Sequence, residues 1–371
     1  MVSLVGISIA LALSAQTQEA AWLAPWHEIL AHHPIAYYRI YNRKTQQFSI
    51  EFIDRSGRSI GRLFPPTGCQ MSMSPDDRLA EFKIAVDLPG AGATHELVVN
   101  EAGEVAAADV SVIPLHTFWT DDNKLAFYGA ADLQKAVPKE VCSADGKFVV
   151  STAVVRSRFA EIHRAGIGGQ AYACFASSLM LGVVIWPPPP RQGAFWLDSD
   201  LTHRKPFLEG AEVGSLASSP SGAYLAVITG SGPEHLVILK SQNQSVVKDQ
   251  SFPSIDGLAL FQWRPEGHCL ATSMQIGDGQ PTDIDRLLQL ASKDRTPARI
   301  SLYDVDTGRT RQFPVPMSKF VQGLWLDSNR ILAVGRVGNR GKAAEILDTR
   351  TGAWTFSRYL ENSAEVQDLR Q

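Results

Sequence analysis

Ser218-Ser219-Pro220-Ser221-Gly222-Ala223-Tyr224-Leu225-Ala226 and Trp263-Arg264-Pro265-Glu266-Gly267-His268-Cys269-Leu270-Ala271 stand 45 residues apart, counted from Ser219 to Arg264. In both, a strand ends, proline enters a turn, glycine stands near its exit, and a Leu-Ala strand follows. This is hairpin chemistry: proline sets φ at the entry, and Gly or Asn takes a positive φ near the end. Three more copies follow the same order: Met73-Ser74-Pro75-Asp76-Asp77-Arg78-Leu79-Ala80, Trp119-Thr120-Asp121-Asp122-Asn123-Lys124-Leu125-Ala126 and Trp325-Leu326-Asp327-Ser328-Asn329-Arg330-Ile331-Leu332-Ala333.

The intervals between copies repeat. Ser74 to Thr120 is 46 residues, and Thr120 to Ser219 is 99, close to two periods. A degenerate copy is therefore expected between them, with Cys174 to Trp186 as its inner hairpin. Arg264 to Leu326 is 62 residues, one period plus an insertion. After each inner pair comes a third strand and an acidic or glycine turn, as in Ile300 to Asp304 before Gly308 and Ala344 to Asp348 before Gly352. A polar fourth strand follows. Alternation is clean on the outer two strands and poor on the inner two, as when the inner pair is buried on both faces. A period near 45 with four strands per unit predicts an all-β chain, a single β-propeller.

The ends of the repeat carry a further expectation. Tyr37 to Tyr41, Gln47 to Asp54 and Ser59 to Phe64 read as strands two to four of a first blade with no first strand upstream. Val366-Gln367-Asp368-Leu369-Arg370 lies 45 residues after Val321-Gln322-Gly323-Leu324-Trp325 in matching order. The C-terminal segment is therefore expected to supply the missing inner strand and close the ring, removing an exposed edge. The count is then seven blades, with six as the alternative if Asp132 to Arg158 merges with the next copy.

The turns resemble the WD40-like propeller repeats of the TolB type, which carry Trp-Ser-Pro-Asp-Gly before a Leu-Ala strand. Met73 to Ala80, Ser218 to Ala226 and Trp263 to Ala271 carry the likeness, with Ser143-Ala144-Asp145-Gly146-Lys147-Phe148 as a partial copy. The resemblance implies fold and not activity; that family includes periplasmic scaffolds and the propeller domains of serine peptidases. Gly57-Arg58-Ser59-Ile60-Gly61 matches G-x-S-x-G in letters only, since it enters the expected strand Ser59 to Phe64 rather than a strand-to-helix elbow; the chain is expected to leave no room for a hydrolase domain and to lack the extra N-terminal domain of TolB itself.

The 371 residues carry 35 Lys+Arg against 38 Asp+Glu, a formal net charge of -3, which argues against a nucleic-acid partner. Leu4 to Leu13 is an apolar run followed by small residues, which reads as a signal peptide over residues 1–15, cut after Ser14 or Ala15. The run is too short for a permanent span, so no transmembrane anchor is expected after its removal. Residues 16–36 read as a lead-in and 37–371 as the propeller. The expected location is the periplasm or the exterior. Cys69, Cys142, Cys174 and Cys269 can pair there in three ways or stay as buried thiols; their wide spacing does not suit zinc.

Candidate chemistry is sparse. His27-Glu28-Ile29-Leu30-Ala31-His32-His33 fails H-E-x-x-H because position 31 is Ala31. Gly166-Ile167-Gly168-Gly169-Gln170-Ala171 lacks the acidic ribose partner of a dinucleotide site, since Pro187 to Pro190 stands in its place. Trp186 to Arg191 should adopt polyproline II as a rigid connection. Trp119, Trp263 and Trp325 occupy equivalent repeat positions and are expected as wedges between blades. His95 and His235 sit just before third strands as candidate rim residues. The insertion 277–297 can form a helix capped by Thr282, with Ile284, Leu287 and Leu288 on a candidate partner-facing stripe. Asn243-Gln244-Ser245 is a sequon.

No cofactor, metal or catalytic residue is assigned. The leading expectation is a monomeric, non-catalytic binding or scaffold propeller for another protein, a cell-envelope component or a small ligand. The alternative is a lyase or hydrolase with its site at the central mouth, and a third reading is the remnant of a peptidase family.

Overall fold

The computed structural model describes residues 21–88, 91–111, 116–119, 125–128, 142–143, 170–177, 180–186, 194–197, 204–207, 213–229, 234–252, 255–276, 299–338 and 341–369. These belong to two compact units, one drawn from 1–127, 132–156 and 363–371, the other from 128–131 and 157–362.

In the first unit, one sheet has the order Glu365–Asp368, Ala36–Asn42, Gln47–Ile53, Ser59–Leu63. A second runs Cys69–Met73, Leu79–Leu88, Ala91–Asn100, Val105–Ser111, with Cys142–Ser143 added at its outer edge. His116–Trp119 and Leu125–Tyr128 make a two-stranded sheet. The second unit has four antiparallel sheets of four strands in chain order. They begin at Gln170–Ser177, Val213–Ser218, Ile255–Trp263 and Lys319–Trp325 and end at Arg204–Phe207, Val246–Phe252, Thr310–Pro314 and Trp354–Leu360. The apolar stretch 171–186 is indeed a strand pair, Gln170–Ser177 with Met180–Trp186. The partial copy at Ser143 starts on the edge of the second sheet, Cys142 opposite Ala108, rather than in a blade of its own.

The hairpins form as their residues dictate. The Ser74 N–H donates to the Leu79 carbonyl and its Oγ accepts from the Leu79 N–H at 2.9 Å. Ser219 and Tyr224 repeat both bonds at 2.8 and 3.0 Å. Gly222 (φ 68°) and Gly267 (φ 75°) take the left-handed position, but in the first copy Asp77 does so at φ 59°. A short polar side chain tolerates that region better than other L-residues, so the turn survives without glycine.

Burial separates inner from outer strands. Leu225, Ala226, Val227, Ile228 and Thr229 are all buried on a second strand, whereas Val246–Phe252, the fourth strand of that sheet, has no buried residue. Full burial of each Leu, Ile or Val stabilises by about 1.5–3 kcal/mol.

The three tryptophans are wedges joined to the preceding sheet by one repeated bond. Trp119 Nε1 donates to Ser72 Oγ (2.9 Å), Trp263 Nε1 to the Ala217 carbonyl (2.9 Å), and Trp325 Nε1 to the Gln262 carbonyl (3.2 Å). Ser72, Ala217 and Gln262 each stand two residues before the equivalent turn positions Ser74, Ser219 and Arg264. The indoles are 8%, 4% and 1% exposed, too buried to form a ligand cage.

The C-terminal strand takes the inner position of the first sheet, with Ala36 opposite Asp368, Tyr37 opposite Gln367, Tyr38 opposite Val366 and Arg39 opposite Glu365. Ala364, Val366 and Leu369 are fully buried. Tyr37 ties this sheet to the second. Its hydroxyl accepts from the Met71 N–H at 2.9 Å and lies 3.2 Å from Gln367 Oε1. Burial raises its pKa well above the usual phenol range, against the pull of the Met71 hydrogen bond.

The segment 21–36, expected only to lead in, belongs to the core. A short helix, Trp26–Leu30, sets Trp26 and Ile29, with Leu23 just before it, in one cluster with Phe52, Leu63 and Phe82. Trp26 meets the Phe82 ring edge-on at 5.5 Å. Gly61 is required there: a Cβ on it would stand 2.4 Å from Ile29 Cγ1.

Candidate functional site

In each four-stranded sheet the first and third hairpins lie at the same end, because the strands alternate in direction. Ties between them recur. The N–H of Ser241, Val305 and Thr349, each at the start of a third hairpin, donates to the carbonyl of Ala223, His268 and Asn329 in the first hairpin of the same sheet. Side chains add to this. In the second sheet Arg78 pairs with Glu101 at 2.6 Å. At the equivalent place in the sheet beginning at Ile255, His268 Nδ1 lies 3.0 and 3.2 Å from the two Asp306 oxygens.

His268 makes one contact that Arg78 does not. Its Nε2 lies 3.1 Å from Ser221 Oγ, in the first hairpin of the preceding sheet. The Tyr224 ring meets the imidazole edge-on at 4.8 Å and itself stacks on Trp263 at 6.2 Å. Ser221 sits in a turn closed by Gly222 N–H donating to the Ser219 carbonyl, and Ala223 N–H reaches Ser221 Oγ at 3.3 Å. Ser221 and Asp306 are exposed and His268 half-buried, so the cluster faces water. Next to it, burial pushes the Cys269 thiol up to about 11.

A second feature lies in the first unit. An open depression of about 300 Å³ is lined by Arg39, Tyr41, Phe48, Gly68, Ser363 and Glu365. Arg39 and Glu365 form a part-exposed ion pair, and the Tyr41 and Phe48 rings lie 4.6 Å apart. Ser363 Oγ accepts from the Tyr41 N–H and donates to the Tyr41 carbonyl at 2.7 Å, fixing the C-terminal segment against this strand.

The residues singled out by sequence fall as follows. His235 is the second residue of the strand Glu234–Lys240 rather than just before it, and its Nδ1 pairs with Asp249 on the neighbouring strand at 2.8 Å. His95 is the fifth residue of Ala91–Asn100, opposite Ile84 and Val110. Ile284, Leu287, Leu288 and the rest of the insertion lie outside the described residues, as do Gly166 to Gly169, Pro187 to Pro190 and the signal peptide. His27 Nδ1 lies 3.1 Å from the Glu101 carbonyl. Among the described residues no group of three His, Cys, Asp or Glu is placed to hold a metal, and Cys69 and Cys269 are free buried thiols. No described helix is long and apolar enough to cross a membrane. Ser221 and Asp306 were not foreseen, because nothing in their local sequence marks them.

No family model and no curated protein matches the chain. Solved structures do. The β-propeller domain of the trilobed protease from Pyrococcus furiosus, which has an open velcro topology, is matched at a TM-score of 0.54 over 89% of this chain and 97% of that one, with 9% identity. A prolyl endopeptidase is matched at 0.51 with 13% identity; 98% of this chain is covered but only 54% of that one. TolB from Acinetobacter baumannii is matched at 0.39 with 12% identity, over 74% and 67% of the two chains, too low to argue from. At these identities the likeness shows the fold alone: the chain has a β-propeller fold.

Proposed function

We propose that this chain is a binding or scaffold propeller that works outside the cytoplasm. The architecture we infer is seven blades, with Glu365–Asp368 completing the first blade and closing the ring. Among the described residues, six sheets of four or five strands and the pair at His116–Trp119 and Leu125–Tyr128 support that count. The observation that carries the functional reading is the depression beside the terminal strand. A part-exposed ion pair and an aromatic pair sit in one concave surface, chemistry that suits docking of a polar group beside an apolar one. The His235–Asp249 pair bridges two strands of one sheet, which gives it a structural role.

Native mass spectrometry of the protein purified gently from its own envelope or secretion fraction tests this. A stoichiometric ligand or protein partner that is lost in the Arg39→Ala and Phe48→Ala variants supports the reading. A bound metal or small molecule that both variants retain would move the function elsewhere. Sequencing the N-terminus of the exported material should find cleavage after Ser14 or Ala15; an intact Met1 in a cytoplasmic fraction would refute the location.

A further inference from the structure

We propose that Ser221 is an activated nucleophile, with His268 as its general base and Asp306 as the group that orients the base. This goes beyond the docking role and does not depend on it. The polarity of the chain of bonds follows from its chemistry. Asp306 as a carboxylate only accepts, so it fixes the imidazole proton on Nδ1. Nε2 then carries the lone pair, and the Ser221 hydroxyl donates to it across 3.1 Å. Atom for atom this is the order of a Ser-His-Asp triad, which is recognised by geometry and role rather than by sequence position.

A purely structural tie does not need this arrangement. In the second sheet Arg78 and Glu101 join the same two hairpins with an ion pair alone. Here the tie uses histidine, turns its second nitrogen onto a serine of the neighbouring sheet, and holds the ring with Tyr224. The serine is held as well, by a tight turn whose Gly222 has φ 68° and by the Ala223 N–H, which donates to its Oγ at 3.3 Å. Ser221 and Asp306 are exposed, so the cluster is open to bulky reagents. The substrate class it fits is therefore reactive carboxylic esters with an exposed acyl group.

The step balances. Ser221 Oγ bonds to the ester carbonyl carbon as its proton passes to His268 Nε2, and the carbonyl π pair moves onto oxygen. The carbonyl re-forms, the ester C–O bond breaks, and the leaving alkoxide takes the proton from His268. Water repeats the sequence on the acyl-serine, giving the carboxylic acid and free Ser221.

The test is a fluorophosphonate probe applied to the full chain, with the labelled residue identified by peptide mass spectrometry. Attack by Ser221 forms a P–O bond and expels fluoride. The expected result is labelling at Ser221 that is absent in Ser221→Ala and about 100-fold slower in His268→Gln. Asp306→Asn should label about tenfold or more slowly. An unfolding midpoint for each variant separates lost reactivity from lost fold. Labelling at Ser221 no faster than at other exposed serines, or a His268→Gln rate equal to wild type, would overturn the proposal and leave the cluster a structural clasp.

Discussion

Tyr37→Phe removes one oxygen atom from a fully buried side chain that links three segments of the first unit. The ring stays and its packing against Phe52 (6.2 Å) is retained, so the change isolates the hydroxyl. Without it the Met71 N–H loses its acceptor in a site with no water access, a loss of about 1–3 kcal/mol. At about 1.4 kcal/mol per tenfold, Met71 amide exchange should speed up by about 5- to 140-fold where it proceeds through unfolding of this unit. Hydrogen exchange read by mass spectrometry, with a urea unfolding curve beside it, measures both. Gln367→Ala should cost less, because the Tyr37 hydroxyl keeps the Met71 backbone as partner. There is also an alkaline branch. The folded pKa of Tyr37 lies above its unfolded value of 10.0, so above that pH the unfolded chain releases a proton that the folded chain keeps. Stability therefore falls as pH rises beyond about 10, and Tyr37→Phe should flatten the fall. Met71 protection and an alkaline limb both unchanged in the variant would refute the reasoning.

Further outcomes follow from other parts of the fold. Trp325→Ala should destabilise by about 3–5 kcal/mol, since it empties a buried indole site and removes the indole donor from the Gln262 carbonyl; a thermal melt checks it. Gly61→Val should destabilise the first unit and release the Trp26–Leu30 helix, seen as faster proteolysis near residue 30, because the new Cβ meets Ile29. Cys69 and Cys269, whose burial raises both thiol pKa values, should resist iodoacetamide at pH 8 in the folded protein and react fully in urea. Burial pushes the Asp54 carboxyl up, but bonds from the Ser56 hydroxyl and the Arg58 and Ser56 N–H groups outweigh it and hold the folded pKa below 3.8. Its stabilisation is present above that unfolded value and is lost as pH falls through the folded one. Asp54→Asn should show a shallower acid limb in a pH series of melts.

The repeat was legible because a hairpin is a local event. Ser219, Pro220 and Gly222 set a turn whoever their distant neighbours are, and the tryptophans recur because each fills the same gap against the preceding sheet. The terminal strand was legible because Val366 to Arg370 keeps the register of Val321 to Trp325. What could not be read was built by side chains converging from separate hairpins. Ser221 meets His268 across 47 positions and His268 meets Asp306 across 38, and no local pattern encodes either distance. The packing of the 21–36 segment was not legible for a related reason: it depends on Phe52, Phe82 and the side-chain-free Gly61 being set around Trp26 and Ile29. His95 and His235 fall inside their third strands rather than just before them, because those strands begin sooner than their apolar residues suggest.

The pairing of Ala36–Asn42 with Glu365–Asp368 also sets a timetable for synthesis. Tyr37 and Gln367 are 330 positions apart. At about 5–20 residues per second, roughly 15–65 s pass between their appearance at the ribosome. Throughout that interval the strand holding Tyr37 and Tyr38 has one unpaired edge, open to another nascent copy. If the chain is exported unfolded, the exposure moves across the membrane with it, and a holding chaperone would have its greatest effect on the first sheet, the earliest made and the last completed.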